Sequence, residues 1–208
     1  MIAQGSPEWF AQRLGKLTAS KMADVLAKTK TGPSASRQNY LAQLVCERLT
    51  GKVAESYSND AMKRGTELEP VARAAYEANT GEIVTLAEFV THPNNEMVGA
   101  SPDGLIGAAG LLEIKCPGAP AHIEVLKHGL PAKYKPQVQT QLWVTGRDWC
   151  DFVSYHPDFP EALQLSIHRV NADKEYHAML STESAAFLLE VQNEVSALKQ
   201  LMVKQCAE

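Results

Sequence analysis

Residues 99–117, GASPDGLIGAAGLLEIKCP, constrain the fold of this chain more than any other stretch. Asp103 sits between Pro102 and Gly104 at the mouth of a short apolar run, and residues 107–110 supply the small side chains of a tight reversal. The chain folds back there as a strand hairpin. In its second arm, Leu111-Leu112-Glu113-Ile114-Lys115, side chains alternate between faces, so Glu113 and Lys115 point one way and Leu112, Ile114 and Cys116 the other. Pro117 ends the strand. The pattern predicts one face buried in Leu, Ile and Cys and an opposite face that shows Glu and Lys.

Two carboxylates at the end of a hairpin form a hard-oxygen pocket of the kind Mg²⁺ or Mn²⁺ prefers. A lysine beside them can stabilise a hydroxide nucleophile or the charge developing on a phosphoryl group. An isolated E-x-K is ordinarily a solvated strand face. Asp103, ten residues upstream of Glu113, turns it into a candidate site. Residues 64–70, RGTELEP, add two acids at an expected helix break. Glu67 reads as solvated, whereas Glu69, followed by Pro70, Val71 and Ala72, reads as facing inward, where a third carboxylate helps a metal site.

With 208 residues, 45% of them hydrophobic, the chain can bury the core of one globular domain spanning 1–208. No apolar run approaches the roughly 20 residues that cross a bilayer. The start, MIAQGSPEWF, lacks the basic and apolar blocks of a signal peptide, so a soluble intracellular protein is expected. Cys46, Cys116, Cys150 and Cys206 contain no C-x-x-C pair, which argues against a zinc site or disulfide framework and for reduced thiols, at least two of them buried. The net charge of -4 excludes a wholly basic nucleic-acid binder, but its distribution is uneven. Residues 10–46 carry six basic side chains against Asp24 alone, and residues 115–147 carry five against Glu124 alone. Such asymmetry fits a positively lined groove in an acidic body.

Along the chain, Ser6-Pro7-Glu8-Trp9 reads as a capped helix start, with an end near Gly15. Thr18-Ala19-Ser20 opens a second helix through about Ala27. Its hydroxyls, near Arg13 and Lys16, either cap that helix, which spacing alone favours, or form a phosphate seat at its N-terminus. Residues 29–36 read as a basic loop and residues 37–49 as a helix with Tyr40, Leu41, Leu44, Val45 and Leu49 in the core. Residues 59–79 are helical with a break at Gly65 and Pro70. Strands are expected over 82–90 and 96–100, helices over 119–128 and 133–145, strands over 149–155 and 163–170, and helix from 171 onward. In the 133–145 helix, Gln137, Gln141 and Val144 recur at helical spacing. The six histidines show no metal-ligand spacing, and only His122 is a candidate for a site.

The D-(x)n-E-x-K pattern resembles that of the PD-(D/E)XK nuclease superfamily. Within it the chain resembles the lambda-exonuclease branch, the YqaJ-type viral recombinases. The resemblance rests on Trp9 with Arg13-Leu14-Gly15 and Thr18-Ala19-Ser20; on Gly65 and Glu69; on Ser101-Pro102-Asp103-Gly104-Leu105; and on Leu112-Glu113-Ile114-Lys115-Cys116-Pro117. Tyr134, Gln137-Val138-Gln139 and Leu142-Trp143-Val144-Thr145 extend it. It implies an α/β fold with a restriction-endonuclease-like core, a central mixed β-sheet flanked by α-helices. Residues 1–58 would be N-terminal helices carrying a 5′-phosphate pocket, 59–170 the catalytic core and 171–208 C-terminal helices.

The implied activity is Mg²⁺- or Mn²⁺-dependent, processive 5′-to-3′ digestion of linear double-stranded DNA. It releases 5′-mononucleotides and leaves 3′ single-stranded tails for annealing-type recombination. By the same resemblance, Asp103, Glu113 and the Ile114 carbonyl hold metal, with two ions per site. Lys115 assists the attacking water, and Glu69 and Gln137 complete the metal-water shell. Arg13, Thr18, Ser20 and Ser101 cradle the 5′ phosphate beside Trp9, and His122 stands near the place of the family's second phosphate-pocket arginine. A homotrimeric ring around DNA, a single-strand annealing partner, no membrane, and the cytoplasm of a bacterial host with a phage or prophage gene are implied as well. The alternatives are a non-processive or structure-specific nuclease of another branch, or a non-catalytic DNA-end-binding protein. The iron-sulfur nucleases need a cysteine cluster that the four spaced cysteines do not supply.

Overall fold

The computed structural model describes residues 5–54 and 60–205. In chain order it runs α1 (Pro7–Arg13), β1 (Leu17–Thr18), a 3-10 turn (Ala19–Lys21), α2 (Met22–Leu26), β2 (Lys28–Thr29), β3 (Gly32–Pro33) and α3 (Ala35–Thr50). Then follow α4 (Asp60–Thr80), β4 (Val84–Thr85), β5 (Val90–His92), β6 (Asn95–Ala100), β7 (Gly104–Ile106), β8 (Gly110–Lys115) and α5 (Ala119–His128). A second 3-10 turn (Ala132–Tyr134) leads into α6 (Lys135–Thr145), β9 (Trp149–Tyr155), α7 (Glu161–Gln164), β10 (Leu165–Asn171) and α8 (Lys174–Gln205). The junction expected between residues 58 and 59 lies outside the described residues, as does Cys206. Among the described residues no helix is long and apolar enough to cross a membrane.

The main sheet has the order β10-β9-β8-β7-β4 and is mixed: β8 pairs antiparallel with β7 and parallel with β9. The tight reversal is present, with Gly107 at φ 50, a left-handed backbone that a residue with a Cβ adopts at a cost. β8 departs from the half-exposed strand its alternation suggests. Leu112 and Ile114 pack with Ala72 and Tyr76 of α4 on one face, and Leu111 packs with Val125, Val138 and Leu142 of α5 and α6 on the other. Glu113 therefore lies under α6 and is 1% exposed. Both faces of this strand are interior, as a parallel pairing with helices on both sides requires.

A second sheet, β1-β6-β5, pairs Thr18 with Gly99 in parallel register, which brings the N-terminal segment alongside the chain that enters the hairpin. Its core includes Leu17, Met22, Leu44, Val98 and Leu180, with Tyr40 of α3 stacked on Phe187 of α8. Arg37 of α3 clamps Glu190 of α8 through two hydrogen bonds of 2.8 and 2.7 Å. Gln139 of α6 donates to the Asn171 carbonyl and accepts from the Asp173 N–H, fixing α6 to the start of α8.

Several expected elements differ. The helix through residues 60–80 does not break at Pro70, because burial of Ala72 and Tyr76 against the sheet outweighs the one hydrogen bond the imino acid cannot donate. The strand expected over 82–90 is reduced to β4 and the first residue of β5, and the loop over 29–36 contains the β2–β3 hairpin. Residues 161–164 are a helical turn before β10, and the C-terminal helices are one helix, α8. Of the described cysteines only Cys150 is buried; Cys116 is half-buried and Cys46 exposed.

Candidate active site

Asp103 is stitched to β8 at two points. Its N–H donates to the Leu112 carbonyl at 3.1 Å, and its Oδ2 accepts from the Ile114 N–H at 2.7 Å. Glu113, two strand positions from Leu111, faces α6, where Gln137 and Gln141 lie one turn apart on the helix surface. Their amides donate to Oε1 and Oε2 of Glu113, both at 2.6 Å. Lys115 Nζ lies 2.5 Å from Glu113 Oε1. The hairpin thus delivers Asp103, Glu113 and Lys115 to one place, as the spacing predicts. Gln141 joins them from a position whose helical spacing is visible in the sequence but whose carboxylate partner is not.

The electrostatics follow from this crowding. Burial raises the Asp103 carboxyl well above its usual range, and the nearby charges of Glu113 and Glu69 push it further, against the pull of Lys115 and the Ile114 N–H. Glu69 is also raised, first by burial and then by Glu113, with Arg73 opposing. For Lys115 burial works against the charge, but Glu113 and Asp103 outweigh it and raise the ammonium above its ordinary value. The two carboxylates thus favour the charged form of Lys115 and place a cation where it can neutralise phosphoryl charge.

Buried carboxylates that repel one another fit a divalent cation, which would relieve the repulsion. Among the described residues no three His, Cys, Asp or Glu side chains form a group able to hold a metal ion. Glu69 lies close enough for its charge to act on both Asp103 and Glu113. The set of these last two carboxylates and the Ile114 main-chain carbonyl suits Mg²⁺, which takes one or two carboxylates and fills its shell with water and substrate phosphate.

The N-terminal candidates converge on Ser101, two residues before Asp103. Ser101 Oγ accepts from Arg13 at 3.0 Å and from the Trp9 indole N–H at 3.2 Å. The Arg13 guanidinium lies over the Trp9 ring, 4.0 Å from its centre, and reaches Ser20 Oγ at 3.5 Å. Thr18 Oγ1 lies 3.4 Å from Ser20 Oγ and makes no capping bond to the turn that follows, so these hydroxyls do not serve as a plain helix cap. Gly15, at φ 66, turns the chain between α1 and β1 and donates to Glu47. A cavity of about 150 Å³ opens beside Trp9, Arg13, Lys16, Thr18 and Ser20. Burial lowers the Arg13 pKa to about 10, so it is still a cation at neutral pH.

His122 does not join them. It is fully buried, with Nδ1 2.8 Å from Ser154 Oγ and Nε2 2.8 Å from the Leu163 carbonyl, and its ring packs edge-on against Phe159. Both nitrogens are engaged in joining α5 to β9 and to the turn before β10. None is left for a phosphate, so this histidine does not replace an arginine.

Residues 8–148 match the YqaJ-like viral recombinase domain. A comparison with curated proteins finds no match. Among solved structures, the alkaline exonuclease LHK-Exo from Laribacter hongkongensis is 50% identical with a TM-score of 0.90, over 96% of this chain and 100% of that one. LHK-Exo in complex with dAMP matches over the same shares at 51% identity and the same TM-score of 0.90. A phage-related exonuclease from Haemophilus somnus shares the fold, with a TM-score of 0.71 at 14% identity over 88% of this chain and 96% of that one. The chain belongs to the YqaJ-like viral recombinase family and is a nuclease of the lambda-exonuclease type.

Proposed function

We propose that this protein is a metal-dependent, processive 5′-to-3′ exonuclease that enters linear double-stranded DNA at a 5′-phosphorylated end. It releases 5′-mononucleotides and leaves 3′ single-stranded tails for annealing-type recombination. The observation that carries this reading is the short loop from Ser101 to Asp103. One end bonds the Arg13 and Trp9 cluster and the other bonds β8, so an anion seat and a carboxylate centre stand side by side. A solved relative holds dAMP, a mononucleotide of the kind this reaction would release.

Asp103, Glu113 and the Ile114 carbonyl would hold Mg²⁺ or Mn²⁺, two ions per site, with Glu69 and Gln137 in the surrounding water shell. When bound, the metal would supply a more acidic water and neutralise charge on the entering and leaving oxygens. Lys115, held protonated, neutralises the phosphoryl oxygens and orients the attacking water. Gln137 and Gln141 fix the Glu113 carboxylate in one orientation. Arg13, with Thr18, Ser20, Ser101 and Trp9, receives the terminal phosphate, whose charge a 5′-hydroxyl lacks.

Three chains in a ring would hold DNA topologically, so a net charge of -4 is compatible with processive digestion. The partner class is a single-strand annealing protein, and the place of action is the cytoplasm of a bacterium carrying the phage or prophage gene. Purified protein incubated with 5′-phosphorylated linear duplex and Mg²⁺ should release mononucleotides and leave closed circular duplex intact. Release from the 3′ end, or none, would overturn the reading. Light scattering should return the mass of three chains, and processive digestion by a monomer would refute the ring.

A further inference from the structure

On the other edge of β8 lies a cavity that none of these roles uses. β7 and β9 flank β8 on opposite sides, with Asp103, Ser101 and Arg13 reached through β7. On the β9 side a cavity of about 260 Å³ is walled by Phe152, Tyr134, Pro131, Pro117 and Val125, with Lys115 among its lining residues and the exposed Lys133 and Glu124 at its rim, Glu124 lying 3.8 Å from His128. The Tyr134 ring is held against Phe152, with centres 5.3 Å apart. Lys115 Nζ lies 5.4 Å from the Tyr134 ring centre and 2.5 Å from Glu113 Oε1, so one ammonium connects the cavity to the carboxylate centre. Lys133 Nζ approaches the same ring at 4.8 Å.

An aromatic and proline-walled slot smaller than the roughly 300–1,000 Å³ of sites that enclose drug-sized ligands suits one flat ring system, not a whole nucleotide. Cations at its edge suit the phosphates on either side of such a ring, and base-on-aromatic stacking is the usual way a protein holds an unpaired base without reading its sequence. We infer that this cavity seats a nucleobase of the digested strand, that of the second nucleotide. The assignment rests on the polarity proposed above. With the terminal phosphate at Arg13 and the attacked phosphate at the carboxylates, the strand continues toward β9, and the second base lies one sugar away from the attacked phosphate. Tyr134 is the stacking platform, and the slot accepts any base, since every base offers a ring face to stack on.

The test uses 5′-phosphorylated linear duplexes with a single tetrahydrofuran abasic site at the first, second or third nucleotide, cut by the wild-type protein with Mg²⁺. The abasic site at the second position should slow the first cut by roughly five- to a hundredfold, the range that loss of one stacked base gives. Tyr134→Ala should slow unmodified DNA by a similar factor and erase the difference, and Tyr134→Phe should restore both. In metal-free buffer, 2-aminopurine at the second position should change its fluorescence on binding wild type and not on binding Tyr134→Ala. Equal first-cut rates for all three duplexes, or slowing at the first position only, would overturn the inference while leaving the nuclease intact. A protein inert on unmodified duplex would instead overturn the proposed function and take this inference with it.

Discussion

The side-chain N–H of Gln141 lies 2.6 Å from Oε2 of Glu113, and the other end of that amide, Oε1, is buried without a hydrogen-bond partner among the described residues. Gln141 thus determines where the second oxygen of the most buried acid in the site points. Gln141→Leu should leave that oxygen uncompensated, a loss of about 1 to 3 kcal/mol for a buried charged acceptor. We expect kcat to fall by tenfold or more with KM for DNA little changed, measured by steady-state release from end-labelled duplex. An unchanged kcat would return Gln141 to a packing role.

Asp103→Asn separates chemistry from stability. Burial and Glu113 raise the folded-state pKa of Asp103, so its charge costs stability as pH rises above the unfolded value of about 3.9. The amide keeps an oxygen for the Ile114 N–H and carries no charge. At pH 8 without metal the variant should melt at or above the wild-type temperature, and the gap should close toward pH 4. Cleavage should fall by at least about 10²-fold, the scale of losing one group that stabilises transition-state charge. Calorimetry showing a large drop in melting temperature would contradict the electrostatics described above.

Arg13→Ala should remove end selection. Charge-assisted hydrogen bonds contribute about 1.5 to 3 kcal/mol, so the preference for a 5′-phosphate over a 5′-hydroxyl end should weaken by roughly tenfold or more. Paired rates on the two duplexes, for wild type and variant, give the ratio directly. An unchanged ratio would assign the cluster at Ser101 to structure alone.

The clamp between α3 and α8 should be acid-labile. The paired hydrogen bonds from Arg37 hold the Glu190 carboxyl below its ordinary range. A depressed carboxyl stabilises the fold above its unfolded pKa, about 4.3, and loses that contribution as pH falls through the folded value. Glu190 is 47% exposed, so solvent screening reduces the effect to about 0.5 to 1 kcal/mol at pH 7. Urea melts of Glu190→Gln should show this deficit at pH 7 and converge with wild type as the pH falls below the folded-state value of the carboxyl.

The hairpin and its three charged residues are legible in the sequence because they depend on local rules: a Gly-Ala reversal, strand alternation and a terminal proline. The burial of Glu113 is not, since it comes from α6 folding over β8 from more than twenty residues away. Gln141 is hidden for the same reason. Its helical spacing from Gln137 is plain, but only the packed helix shows that both amides grip one carboxylate. Pro70 misleads because local backbone cost is visible in the chain and the burial of Ala72 and Tyr76 is not. His122 misleads because a histidine near a charged site looks the same in sequence whether it faces solvent or lies against Ser154 and Leu163. Arg13, Thr18, Ser20 and Ser101 are separated by up to 88 positions and meet because β1 lies beside β6.

Gln139 gives α6 a second anchorage, through the Asn171 carbonyl and the Asp173 N–H, on the opposite side from the two glutamines that hold Glu113. A helix registered from both sides has little room to drift while the rest of the protein is folded. Its amide protons should be among the slowest to exchange with deuterated solvent. On gentle heating, turnover should persist until the whole molecule melts, because the active carboxylate and the long C-terminal helix share one mooring.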